Sequence, residues 1–97
     1  MATLNFVKDG NRHVAVTKAE GAFALKIKHR KKGKVTIGIS SVQPADVNDA
    51  SEYALLDTNW NCSEGAWDRC FGREGYPVWI RISTTGDPEK GEITVYS

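Results

Sequence analysis

Chemistry needs an acid, a base, a nucleophile or a metal ligand at a workable spacing, and this chain of 97 residues holds few of them. His13 and His29 are the only side chains whose unperturbed pKa lies near neutrality. Neither stands at a recognisable motif spacing from a serine, a cysteine or an acid, so both read as ordinary strand or turn histidines. H-E-x-x-H, G-x-S-x-G, phosphate-loop and dinucleotide-binding patterns do not occur in the sequence. No catalytic, cofactor-binding or metal-ligating residue is nominated, and the expectation is a protein that is not an enzyme. Cys62 and Cys70 are the only cysteines, and their spacing matches no C-x-x-C redox or zinc motif. Paired, they would close a short loop and contribute ~2–3 kcal/mol. In a reducing compartment they are free thiols, and the sequence leaves both states open.

Two clusters offer binding rather than catalysis. The run His29-Arg30-Lys31-Lys32-Gly33-Lys34 follows Lys26 and Lys28 along one strand. Arg30, Lys31 and Lys32 at a hairpin tip could meet phosphates, an acidic protein, or nothing, serving then to keep a sheet edge from aggregating. No aromatic residue interleaves with this run to stack on bases, which weighs against nucleic acid. Tyr53, Trp60, Trp67, Phe71, Tyr76, Trp79 and Tyr96 concentrate in the second half of the chain. Trp60 and Trp67 sit in a polar connection with Asp57, Asn59, Asn61 and Asp68, a composition that suits sugar stacking or an interface anchor. The plain alternative is that this connection folds over the body and buries its rings. Trp79, Arg81 and Tyr96 fall at outward positions of their strands and complete the candidate partner-binding set.

Period-two alternation supplies the frame for these residues. It marks Leu4/Phe6, Val14/Val16, Phe23/Leu25/Ile27, Val35/Ile37/Ile39, Val78/Ile80/Ile82 and Ile93/Val95 as the inward faces of six strands. His13 then falls on a solvent face. Pairing Phe6 with Val14 leaves the turn Asp9-Gly10-Asn11, with Asn11 in the left-handed region. Pairing Ile27 with Ile37 leaves Lys31-Lys32-Gly33, with Gly33 at positive φ. The stretch Pro44 to Leu56 holds at most a turn or two of helix. Residues 43–77 are too long for a bare loop, so one or two further strands are expected there, Tyr53-Ala54-Leu55-Leu56-Asp57 first. The prediction is an all-β, two-sheet antiparallel β-sandwich of immunoglobulin-like size, with six to seven short strands and one long connection, forming a single domain over 1–97.

Composition agrees with a globular class, at 40% hydrophobic and 26% charged. The N-terminal stretch has neither the basic start nor the apolar run of a signal peptide, and no stretch reads as a membrane span. Net charge is only +1, yet residues 1–42 hold nine Lys/Arg against two acids, while residues 43–97 hold four against ten. Such a split drives head-to-tail self-association or attraction to an acidic partner, unless the halves neutralise each other within the fold.

The order of the pieces Asn5-Phe6-Val7-Lys8-Asp9-Gly10, Phe23-Ala24-Leu25-Lys26-Ile27, Gly33-Lys34-Val35-Thr36-Ile37, Tyr76-Pro77-Val78-Trp79-Ile80-Arg81-Ile82 and Gly91-Glu92-Ile93-Thr94-Val95 resembles small β-sandwich proteins encoded by tailed phages of gut Bacteroides-type bacteria. The likeness spans most of the chain except residues 43–72. It implies a non-enzymatic virion accessory or capsid-decoration protein acting through protein–protein contacts, located in the virion or the host bacterial cytoplasm. It carries over no site residue. The rival expectations are a carbohydrate-binding module using Trp60 and Trp67, and a nucleic-acid-binding or host-modulating phage protein using the basic run. No cofactor is expected.

Overall fold

Five of the six alternating segments form strands, and the sequence between them adds more. A computed structural model describes residues 2–72 and 77–96. Its strands are β1 (Ala2–Thr3), β2 (Val7–Asp9), β3 (Arg12–Glu20), β4 (Ala22–Lys31), β5 (Gly33–Ser40), β6 (Ala54–Cys62), β7 (Trp67–Gly72), β8 (Pro77–Thr84) and β9 (Asp87–Tyr96), with one 3-10 turn at Ala50–Glu52. They make two antiparallel sheets, a four-stranded one in the order β1-β9-β4-β7 and a five-stranded one in the order β2-β3-β8-β5-β6. The β-sandwich expected from the period is therefore present. The long connection supplies both of its extra strands, β6 and β7, and each becomes the edge of a different sheet.

Phe23, Leu25 and Ile27 from β4 and Ile93 from β9 face Val35, Ile37, Val78, Ile80 and Ile82 of the other sheet, all of them at most 3% exposed. Burying side chains of this size contributes ~1.5–3 kcal/mol each and is the main force holding the sheets together. Leu4 joins this core from the segment between β1 and β2, which is not strand as the Leu4/Phe6 alternation suggested. Packing is close at the β7 edge, where a Cβ on Gly72 would stand 2.2 Å from Cζ of Phe23.

Three local expectations are corrected. β4 and β5 do not form a hairpin. The chain passes from one sheet to the other at Lys32, so Ile27 and Ile37 face each other across the core instead of lying side by side. Gly33 is consequently not left-handed. It is glycine because a Cβ there would stand 2.1 Å from the backbone nitrogen of Gly86. In the β2–β3 hairpin Val7, not Phe6, pairs with Val14, leaving a two-residue turn, Gly10-Asn11. Gly10 takes the positive φ, 62°, as the first central residue of a type II′ turn does, and Asn11 stays at negative φ.

The third correction is the facing of β3. Ala15 and Ala19 point into the core, while Val14 and Val16 lie on the other side, opposite Ser83 and Arg81. Both sides of β3 are partly covered, which is why alternation alone misassigned them. The cover is the segment 41–53. Its Tyr53 ring packs over Gly38, and the Tyr53 hydroxyl donates to the Val47 carbonyl at 2.8 Å. Nε of Arg81 donates to the Asn48 carbonyl at 3.3 Å. This strap thus lies across the outer face of the five-stranded sheet. It is the first part of the long connection, not the tryptophan-bearing part, that folds over the body.

Candidate partner-binding surfaces

β4, flanked by β7 and β9, lays out the outer face of the four-stranded sheet. Cross-strand pairing sets Tyr96 beside Ala22, Thr94 and Phe71 beside Ala24, Glu92 and Arg69 beside Lys26, and Lys90 and Trp67 beside Lys28. One end of this face is apolar. Phe71 is 58% exposed and Tyr96 49%, and the small Ala22 and Ala24 lie between them. A charged row follows, and then Trp67, whose ring is capped by the Lys26 ammonium at 4.5 Å. Among the described residues, a depression over Ala24 is lined by β4, β7 and β9. In contrast with the strapped face opposite, no described segment crosses this one.

The sequence candidates scatter over three environments. Trp60 pairs with Val35 and packs against the core, so it is part of the body and not an exposed anchor. Trp67 is half-buried with one face of its ring occupied by Lys26, so neither tryptophan of the connection offers a free stacking platform. Trp79 and Arg81 point outward as expected, but from β8, which puts them on the face opposite Tyr96. The structure therefore does not gather Trp79, Arg81 and Tyr96 into one surface. Phe71 is the residue the sequence reading left out of the partner-binding set. The signal was its parity: Cys70 pairs with buried Leu25, so the next residue must face out. Tyr76 lies outside the described residues.

Arg30 and Lys31 end β4 and Lys32 follows it, at the pole where three connections meet. Arg30 is tied to Asp87 at 3.4 Å and to the Pro88 carbonyl at 3.3 Å. Lys31 and Lys32 are exposed and, with Lys8, His13 and the Thr85–Gly86 turn, line one depression.

His13 is not the solvent-facing residue expected, and His29, read as an ordinary strand or turn histidine, lies in the interior. His13 pairs with Thr84 on the inner side and is half-buried. His29 is fully buried, and its Nε2 lies 2.7 Å from the Thr84 hydroxyl. Burial lowers its pKa below the ordinary 6.5, against the raising effect of Asp68 and Asp87. Cys62 and Cys70 are free thiols. Burial, reinforced by Asp68, pushes the Cys62 thiol up to about 12. Burial, reinforced by Asp57, pushes Cys70 up to about 11, and Cys70 Sγ donates to the Asp57 carboxylate at 3.7 Å. Thiols held neutral in this way are poor nucleophiles and poor metal ligands. Among the described residues no group of three His, Cys, Asp or Glu converges to hold a metal ion, and no helix is long and apolar enough to cross a membrane.

No protein-family model matches the chain, and no curated protein or solved structure matches it.

Proposed function

We propose that this protein is a non-enzymatic binding component, an accessory or decoration protein of a phage particle, that attaches to a protein partner through the open face of its four-stranded sheet. The observation that supports this reading is the contrast between the two outer faces. One is covered by the chain's own strap, while the other leaves Phe71 and Tyr96 exposed around two alanines. Exposed aromatics on a flat apolar patch, rimmed by Arg69, Lys26 and Glu92, have the anatomy of a protein interface: an apolar centre and a charged rim. The sequence resemblance supplies the phage context.

The test has two parts. Purified particles of a phage that encodes this chain should contain it in fixed ratio to the major capsid protein by quantitative mass spectrometry. Phe71→Ala with Tyr96→Ala should abolish its retention on particles, a loss of more than ~2 kcal/mol, and leave the melting temperature within a few degrees. A protein found in the infected-cell lysate but never in particles, or a double variant retained as well as the parent, refutes the reading.

A further inference from the structure

Much of the charge split between the two halves of the sequence cancels inside the four-stranded sheet. β4 carries its cations between β7 and β9, where Lys28 meets Glu89 at 3.6 Å, Arg30 meets Asp87 at 3.4 Å, and Lys26 stands opposite Glu92. What this leaves over sorts into two patches of opposite sign, one at the pole and one on the strap, with Lys8 of the first also lining a depression with Asn48 of the second. The positive patch is Lys8, Lys31 and Lys32 around one depression, with exposed Lys34 beside it. Among the described residues none of these four lysines is in an ion pair, and Asp87, the acid lining the depression, is already held by Arg30. The negative patch is the strap. It carries Asp46, Asp49 and Glu52, all exposed, and its own sequence from 41 to 53 has no lysine or arginine. Its geometry is fixed: Asp46 accepts from the Asn48 N–H at 3.0 Å, Asp49 accepts from the Ser51 N–H at 3.0 Å, and Arg81 ties down the Asn48 carbonyl.

We propose that these patches are the two halves of a head-to-tail contact between copies of this chain, the acidic strap of one copy seating on the basic, concave pole of the next. Two features favour a second copy over a nucleic acid. The strap is a preformed set of carboxylates that a polyanion would repel, and no described Trp, Tyr or Phe lines the basic depression to stack on a base. Val42, 70% exposed at the start of the strap, adds an apolar anchor inside the charged contact. Because the two surfaces differ, the contact is heterologous and can repeat, so copies build rings or filaments instead of stopping at dimers. The contact is separate from the Phe71 and Tyr96 face, and the two fail separately: removing those aromatics leaves self-association intact.

The experiment is a charge swap on the whole chain. Lys8→Glu, Lys31→Glu and Lys32→Glu together reverse the pole, leaving Lys34 against three acids. Asp46→Asn and Asp49→Asn with Glu52→Lys reverses the strap while keeping both turn acceptors. Light scattering at ~0.1 M salt should show the parent growing with concentration and dissociating at ~1 M, where the screening length falls from ~10 to ~3 Å. Each swapped variant alone should remain monomeric over at least a tenfold concentration range, with a parent-like melting temperature. An equimolar mixture of the two should regain assembly. A parent that stays monomeric at low salt, variants that associate as the parent does, or a mixture that fails to recover overturns the proposal. Retention of double-stranded DNA by a monomeric parent, lost in the Lys8→Glu/Lys31→Glu/Lys32→Glu variant, also overturns it and assigns the pole to a polyanion.

Discussion

His29 Nε2 and Thr84 Oγ1 stand 2.7 Å apart with neither side chain exposed, joining the end of β4 in one sheet to the end of β8 in the other. Thr84 Oγ1 also accepts the Gly86 N–H at 3.1 Å, so the pair fixes the turn into β9 as well.

Protonating His29 places a charge in the core, which is why burial holds its pKa below 6.5. The unfolded chain then binds a proton more readily than the folded one. The stabilising contribution is complete above about pH 6.5 and is lost as the pH falls through the lower folded-state value. Melting curves across that window should show stability declining on acidification, and His29→Gln should flatten the decline. His29→Ala should cost ~2–3 kcal/mol at neutral pH, through the cavity and the lost partner of Thr84.

Two glycines separate close approach from backbone conformation. Gly33→Ala forces a Cβ against the Gly86 backbone and should cost more than ~3 kcal/mol in denaturant unfolding, because neither backbone has room to move. Gly10→Ala meets no atom within 4 Å and should cost only the ~1–2 kcal/mol of a positive φ. Equal losses would contradict this assignment.

Trp60 and Trp67 should behave oppositely despite their shared neighbourhood in the sequence. Trp60→Ala opens a hole against the core and should lower stability by ~2–4 kcal/mol. Trp67→Ala loses mainly the contact with Lys26 and should cost about 1 kcal/mol or less. Thermal unfolding of the two variants, side by side, is the measurement.

With thiol pKa values raised to about 12 and about 11, Cys62 and Cys70 should resist iodoacetamide in the native protein at mildly alkaline pH. Half-buried Cys70 should react before buried Cys62, and both should label rapidly in denaturant. Intact-mass spectrometry over time reads this directly.

Outside β3, alternation told which side chains of the long strands face inward but not which strands are neighbours. Ile27 and Ile37 are both fully buried, as the pattern indicates, yet they belong to opposite sheets. A single residue, Lys32, is enough to cross between layers, and nothing in the basic run distinguishes that crossing from a hairpin tip. Val14 and Val16 misled for a different reason: Val7 of β2 and Asn48 of the strap lie beside them on the outer face, a partial cover that a two-state inside-outside pattern does not contain. The open aromatic face was half legible. Tyr96 was identified from parity, whereas Phe71 needed the register of β7, a strand the polar composition of the connection concealed.

The strand order of the four-stranded sheet, β1-β9-β4-β7, contains no two strands that are consecutive in the chain. None of its ladders is a hairpin, so each must close a long loop before it gains a hydrogen bond. The β2–β3 and β5–β6 hairpins of the other sheet can form early and locally. On the ribosome, β4 must wait with both edges unpaired, first for β7 and then for β9. The protein should therefore refold slowly for its size, on the millisecond-to-second scale of β-sandwiches, and β4 is the segment most exposed to mispairing in the interval.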